Sequence, residues 1–378
     1  MKDKIKFLAY YLPQYHQIPE NDEWWGEGFT EWTNVKRAQP LFRGHQQPIL
    51  PGELGYYDLL ETKDIQRRQA DLAKTYGIDG LIYYQYWFDR NKMLLEKPAE
   101  KMLADKSVDM PFCFCWANET WKGIWHGLGD EKKILIEQKY GGRDFYEAYF
   151  NYLLPFFRDE RYIKMENRPM LHIYRLDEIE NRELFLSTFE ELAKANGFAG
   201  IYFVATGNTG SPNVLNDDRI NGVVGLDLFG QLRYSQEMFF SPASKWFAWE
   251  RLIKTKLGML KPLTERKKPV VLDYAKGARK LMTRIPHKKY IPGVIPNWDN
   301  SARSQNRSLV LKNSSPSGFR MFLENTVKEL IRHNEIKDKM LVIKSWNEWA
   351  EGNHLEPDAK HGTQWLEQIK MVREKYNV

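Results

Sequence analysis

The sequence predicts a (β/α)8 barrel. Three observations carry that prediction. Eight short apolar runs are spread along the 378 residues. Helical stripes fall between most of them. The runs are also continuously apolar rather than alternating, as expected of parallel strands covered on both faces. A doubly wound sheet is the alternative, but no G-x-G-x-x-G follows any run.

In chain order the runs are IKFLAYY (5–11), IDGLIYYQYWF (78–88), MPFCFCWAN (110–118) and RPMLHIYR (168–175), followed by GIYFVATG (200–207), GVVGLDLF (222–229), IPGVIPNW (291–298) and MLVIKSW (340–346). Between them, residues 63–77 read as a helix closed by Gly77, a residue suited to the position after a helix end. Residues 143–157 read as a helix with Asp144 as N-cap and Glu147 three positions on. Phe185, Phe189 and Leu192 share a face in 183–197. In 317–334 a stripe is formed by Phe319, Phe322, Leu323, Val327, Leu330 and Ile331. Trp365, Leu366, Ile369 and Val372 mark a last helix. These stripes are core faces. Two excursions interrupt the alternation: 12–62 after the first strand, and about 230–290 after the sixth. The whole chain, 1–378, is expected to form one catalytic domain with the second excursion as a basic insertion.

Composition excludes several classes. A hydrophobic fraction of 42% with 14% aromatics supports a large core. The net charge of +6 is concentrated: residues 245–289 hold 14 Lys/Arg against three Asp/Glu. A general nucleic-acid footprint does not fit such a distribution. That segment mixes Trp and Phe with Lys and Arg, so peripheral contact with an anionic membrane surface is one reading and a solvated insertion the other. Cys113 and Cys115 alternate on one strand and face the same side, so they are poorly placed to bridge each other, and no zinc spacing exists. The N-terminus lacks a signal-peptide pattern, and no run of about 18 apolar residues exists. The cytoplasm is the expected compartment. No cofactor and no metal are expected, because no cluster has ligand spacing.

Catalytic residues of such barrels lie at the C-terminal strand ends. Those ends offer Tyr10, Tyr11, Tyr15 and His16; Tyr84, Tyr86 and Trp87; Trp116, Asn118 and Glu119; Tyr174; Asp227; Asn297, Trp298 and Asp299; and Trp346, Asn347 and Trp349. Trp32 joins them from the first excursion. Each has a bland reading. His16 reads as a structural histidine, Asp227 and Asp299 can cap turns, and Glu119 can pair with Lys122. Glu348 and Glu351 resist the bland reading best, because they sit at a strand end between Trp346, Trp349 and Gly352. Two adjacent carboxylates suit glycosidic chemistry: one protonates a leaving oxygen and the other acts as base or nucleophile. Aromatic side chains hold the sugar rings.

Five stretches in order, YYLPQYH, EGFTEWTNV, YYQYWF, CWANETW and SWNEWAEGNHLEPD, resemble the WbsX-like family of polysaccharide-biosynthesis proteins, which is related to glycoside hydrolase family 99, the endo-α-mannosidases. The resemblance covers nearly the whole chain. It implies a (β/α)8 barrel and retaining cleavage of α-mannosidic links, with an oligosaccharide or lipid-linked glycan as substrate. The family's N-E-W-H-E-G motif matches Glu348 as the base on the sugar 2-hydroxyl and Glu351 as the general acid/base. Ala350 stands where the motif has His. Members are also labelled glycosyltransferases of O-antigen or capsule synthesis, although this chain has neither a D-x-D after a strand nor a Gly-rich nucleotide loop. The expected function is cleavage or transfer of α-linked mannose- or rhamnose-like glycans in bacterial surface-polysaccharide metabolism. The alternatives are a glycosyltransferase with an activated donor and a non-catalytic glycan-binding protein.

Overall fold

A computed structural model describes residues 4–123, 133–206, 212–225, 268–275 and 285–378. Eight parallel strands close on themselves: β1 (Lys6–Tyr11), β2 (Gly80–Asp89), β3 (Phe112–Trp116), β4 (Arg168–Ile173), β5 (Tyr202–Thr206), β6 (Ile220–Gly225), β7 (Tyr290–Val294) and β8 (Met340–Ile343). Each pairs in parallel with its neighbour in sequence, and β8 pairs with β1 through Lys6–Met340 to Ala9–Ile343. The predicted (β/α)8 barrel is the observed fold.

Helices cover the outside at Ile65–Thr75, Gly142–Arg158, Arg182–Ala195, Pro316–Arg332 and Gln364–Tyr376. Their ends follow local chemistry. Gly77, at φ +89°, takes the chain out of the first of these. Asn181 and Ser315 accept the Leu184 and Gly318 N–H groups at 3.0 and 3.2 Å, satisfying otherwise orphaned donors. Asp144 is not the N-cap of its helix. That position belongs to Gly141, and Asp144 lies in the first turn, where a carboxylate still complements the helix dipole.

Strand residues divide strictly between the two faces of the barrel wall. Tyr11, Tyr83, Gln85, Trp87, Phe114 and Trp116 face the helices: Tyr149, on the helix Gly142–Arg158, donates to Gln85 at 2.7 Å, and its ring lies 5.1 Å from Trp87 and 5.0 Å from Trp116. Tyr10, Tyr84, Cys115, His172 and Thr206 face the interior, where Tyr10 stacks on Tyr84 at 5.1 Å and meets Thr206 Oγ1 at 3.3 Å. Cys113 and Cys115 are buried and free.

Of the second excursion, Val270–Asp273 pairs in parallel with Leu309–Lys312, a small ladder outside the barrel. Most of the basic segment 245–289 lies outside the described residues, as does Asp227. Among the described residues no helix is long and apolar enough to cross a membrane.

Candidate functional site

The segment after β8 turns sharply. Asn347–Glu348 pairs with Asn353–His354 in a two-residue antiparallel ladder, with a single 3-10 turn, Trp349–Glu351, between them. Gly352 makes this possible at φ +51°, and a Cβ there would lie 2.8 Å from Asp299 Cβ and 2.9 Å from the Asp299 carbonyl oxygen. Only glycine meets both demands. Ser345 fixes the start of the turn: its hydroxyl donates to the Asn353 carbonyl at 2.6 Å and accepts the Glu348 N–H at 3.0 Å.

Beneath the turn lies a second layer of hydrogen bonds. Asn347 exchanges two bonds with the Leu12 backbone, at 2.7 and 3.0 Å. Glu356, fully buried, accepts from Trp346 Nε1 (2.9 Å), Trp349 Nε1 (2.6 Å), Gln69 Nε2 (2.6 Å) and Tyr57 Oη (2.9 Å). Burial outweighs these four donors and pushes its carboxyl up to about 7. Trp349 also stacks on His354 at 4.0 Å. Tyr15 donates to the Asn347 carbonyl and accepts the Trp349 N–H at 3.3 Å, and Trp32 packs 4.8 Å from Tyr15 and 5.4 Å from Trp349.

Glu348 and Glu351 thus project together into the mouth of the barrel, and two cations meet them. Lys344, at the end of β8, bonds Glu348 Oε2 and, at 3.1 Å, Glu351 Oε2. Arg303 bonds Glu351 Oε1 at 3.0 Å and lies 4.0 Å from Glu348 Oε1. Its other terminal nitrogen reaches Glu31 Oε1 at 2.5 Å, an oxygen that also accepts the Ala350 N–H at 3.1 Å. Ala350, where the resembling motif has His, is fully buried. Its backbone rather than its side chain reaches the charge cluster.

These contacts set protonation. Burial, reinforced by the charge of Glu351, raises Glu348 to about 7 despite Lys344 and Arg303. Burial acts on Glu351 too, but Lys344 and Arg303 outweigh it and hold that carboxyl below its ordinary value. The order is the reverse of the one implied by the family roles, which need Glu351 protonated at the start.

Around the pair stand several of the sequence-predicted residues. Tyr84 and Tyr86 feel the charge of Glu348, and Tyr174 that of Glu119 and Lys344. The Trp298 ring lies 5.2 Å from the Lys344 ammonium, a cation–π contact. Glu119 pairs with Arg175 at 2.7 Å, not with Lys122. Other predicted residues sit elsewhere. Tyr11 bonds Gln69 at 2.8 Å on the helix side, where Trp87 and Trp116 also lie. Asn118 braces the strand ends through the Arg175 backbone at 2.8 and 2.9 Å. His16 bonds the Pro13 carbonyl at 3.1 Å, and Asn297 receives the His354 N–H at 3.0 Å. Asp299 accepts from Gln47 at 2.7 Å, meets His45 Nε2 at 2.7 Å, and gives its own N–H to the Glu351 carbonyl at 2.7 Å. Sequence reasoning missed Lys344, Glu31 and Glu356. Lys344 carried a signal, a charged residue at the end of an apolar run four positions before Glu348. Among the described residues no group of His, Cys, Asp and Glu could hold a metal ion.

With the barrel and the acidic pair at its mouth described, comparison with known proteins gives the family. The chain belongs to the family described as glycosyltransferase WbsX, whose model matches residues 7–369. It is 36% identical over 367 residues to the uncharacterized protein WxcX of Xanthomonas campestris pv. campestris, a match covering 97% of this chain and 49% of that protein. The chain therefore spans about half the length of the curated relatives it matches. Among solved structures, a glycoside hydrolase-like protein superposes with a TM-score of 0.58 at 13% identity, covering 100% of this chain and 95% of the other. The GH99 endo-alpha-mannosidase from Bacteroides thetaiotaomicron does so with a TM-score of 0.54 at 14% identity, covering 99% and 98%. At these identities the likeness is one of fold.

Proposed function

We propose that this chain cleaves or transfers α-linked mannose- or rhamnose-like glycans in bacterial surface-polysaccharide metabolism, with Glu348 and Glu351 as the reacting pair. One observation carries the reading: two largely buried carboxylates share Lys344 at the barrel mouth, and their environments push them apart in acidity. Such a split is what acid and base work by two carboxylates requires. The substrate on this reading is an oligosaccharide or a lipid-linked glycan, its rings meeting Tyr84, Tyr86, Tyr174 and Trp298.

A glycosyltransferase with an activated donor is the second reading. Two observations favour it: the family's description, and the pair of cations, Lys344 and Arg303, whose charge suits a phosphate leaving group. Screening the protein against α-linked oligosaccharides and nucleotide sugars, with product analysis, separates the two. Glu348→Gln and Glu351→Gln should each lower turnover by about 10²–10⁴-fold while glycan binding persists. Full turnover in either variant removes that residue from the chemistry. Whichever variant is rescued by a substrate with a good leaving group has lost the acid, since that group departs without a proton. A bound 2-deoxy substrate that turns over normally would exclude attack by the sugar 2-hydroxyl.

A further inference from the structure

Lys344 is the one cation that touches both glutamates at bonding distance among the described residues. It stands on a rigid element: its N–H bonds the Val294 carbonyl at 2.9 Å, where β8 ends against β7. Its side chain is about one-eighth exposed, at 12%. Arg303 is committed differently. One of its nitrogens holds Glu31 at 2.5 Å and the other holds Glu351 at 3.0 Å.

The groups facing Lys344 come from every side. Glu348 and Glu351 belong to its own loop. Arg303 and Trp298 follow β7, and Glu31 comes from the first excursion. Tyr174 follows β4 and Cys115 lies on β3, while Tyr84 and Tyr86 on β2 face Glu348 rather than the ammonium itself. Glu119 and Arg175 pair with each other at 2.7 Å and leave the count unchanged. Three carboxylates, Glu31 and Glu348 buried and Glu351 about one-eighth exposed, thus meet two cations, buried Arg303 and the partly exposed Lys344. Unbalanced charge in a desolvated site is expensive and is relieved by a proton. The cluster is neutral with one proton. Without Lys344 it would need two.

We propose that Lys344 is a positioning residue of the reaction: its ammonium keeps one carboxylate of the Glu348–Glu351 pair ionised while the other holds a proton, so that the site always offers one acid and one base. The proposal rests on the reading of the pair as the reacting groups. The opposed shifts of the two carboxyls are in line with it. With a second proton the pair would have no base at neutral pH.

The test counts protons directly. Protein carrying 13C at the glutamate carboxyls is titrated from pH 5 to 8.5, and the pair's signals are assigned by their loss in Glu348→Gln and Glu351→Gln. In the native chain one signal is expected in the protonated position at pH 6 and the other in the ionised position. In Lys344→Met both should be protonated at pH 6, the second losing its proton about 1–3 pH units higher than in the native chain. Lys344→Arg, which keeps the charge, should behave as native. An ionised signal at pH 6 in Lys344→Met overturns the proposal, as do two ionised signals in the native chain. If Lys344→Met does not fold by circular dichroism, Lys344→Gln, which removes the charge and keeps a polar end, takes its place in the same titration. On a substrate found by the glycan screen, the acid limb of the pH–rate profile should move up with the titration in Lys344→Met, which a merely structural role would not cause. A gained proton together with full turnover in both glutamine variants would leave the charge argument standing and remove the functional reading.

Discussion

Replacing Glu356 with glutamine should remove a pH dependence of stability that the native chain carries. Burial raises this carboxyl from its ordinary 4.5 to about 7. Between those values the folded state keeps a proton that the unfolded state has released. The stabilisation is therefore fully present below pH 4.5 and is lost as pH rises through about 7. At about 1.4 kcal/mol per pH unit, the difference is worth roughly 3 kcal/mol. A glutamine amide cannot titrate, so in Glu356→Gln this slope is absent. Glu348, also raised to about 7, contributes in the same window but is present in both proteins and cancels in the difference. The variant should be less stable throughout, since its amide NH2 would face the donors that now reach one of the two carboxyl oxygens.

Urea unfolding followed by tryptophan fluorescence, at half-unit steps from pH 4.5 to 8, measures the effect. The gap between native and variant should be widest at the acid end and narrow by roughly 3 kcal/mol towards pH 7.5. Parallel curves would refute the reasoning. They would mean that the Trp346, Trp349, Gln69 and Tyr57 donors hold the carboxylate ionised in spite of its burial.

Gly352→Ala should destabilise the fold by at least about 1–3 kcal/mol, because alanine pays for a left-handed backbone and its Cβ meets Asp299 as well; a thermal melt unchanged from native would count against the turn geometry. Treatment with EDTA should leave turnover unchanged, since in the proposed reaction carboxylates alone move the protons; activity lost to chelation and restored by a divalent ion would contradict this. Residues 245–289 should carry the protein onto anionic liposomes at low salt and release it as salt rises; no cosedimentation at either salt removes the membrane reading.

The barrel was legible because its strands are continuous apolar runs spaced between helical stripes, even though VVLD at 270–273 and LVLK at 309–312 form similar runs in a ladder outside it. The same property hid the side-chain directions. In YYQYWF every position but the glutamine is aromatic, so the alternation that sends Tyr84 and Tyr86 inward and Trp87 to the helices leaves no mark on composition. Tyr11 and Trp116 were grouped with the mouth for the same reason. Glu348 and Glu351 were legible from local context: a strand end, flanking tryptophans and a glycine that the turn demands. Glu356 lies in the same stretch and carried no signal, because its four partners come from Trp346, Trp349, Gln69 and Tyr57, and only the tertiary fold shows that a loop-like HLEPD is buried.

The charge cluster shows why the two glutamates could be found while their protonation could not. Their acidities are set by Lys344, Arg303 and Glu31, which come from the end of β8, the segment after β7 and the first excursion. Burying three carboxylates is tolerable only where cations and hydrogen bonds compensate them. Each compensating group therefore has to be held in place, and the structure holds each one differently: Lys344 by the β7–β8 ladder, Arg303 by Glu31, and Glu31 by the Ala350 N–H. The first excursion is thus part of the site rather than a cover over it. Glu31 links that excursion to the backbone of the turn Trp349–Glu351 and to the guanidinium that bonds Glu351. A change at Glu31 would free Arg303 to move towards Glu348 and alter both acidities together, although Glu31 is more than 300 residues away from them in the chain.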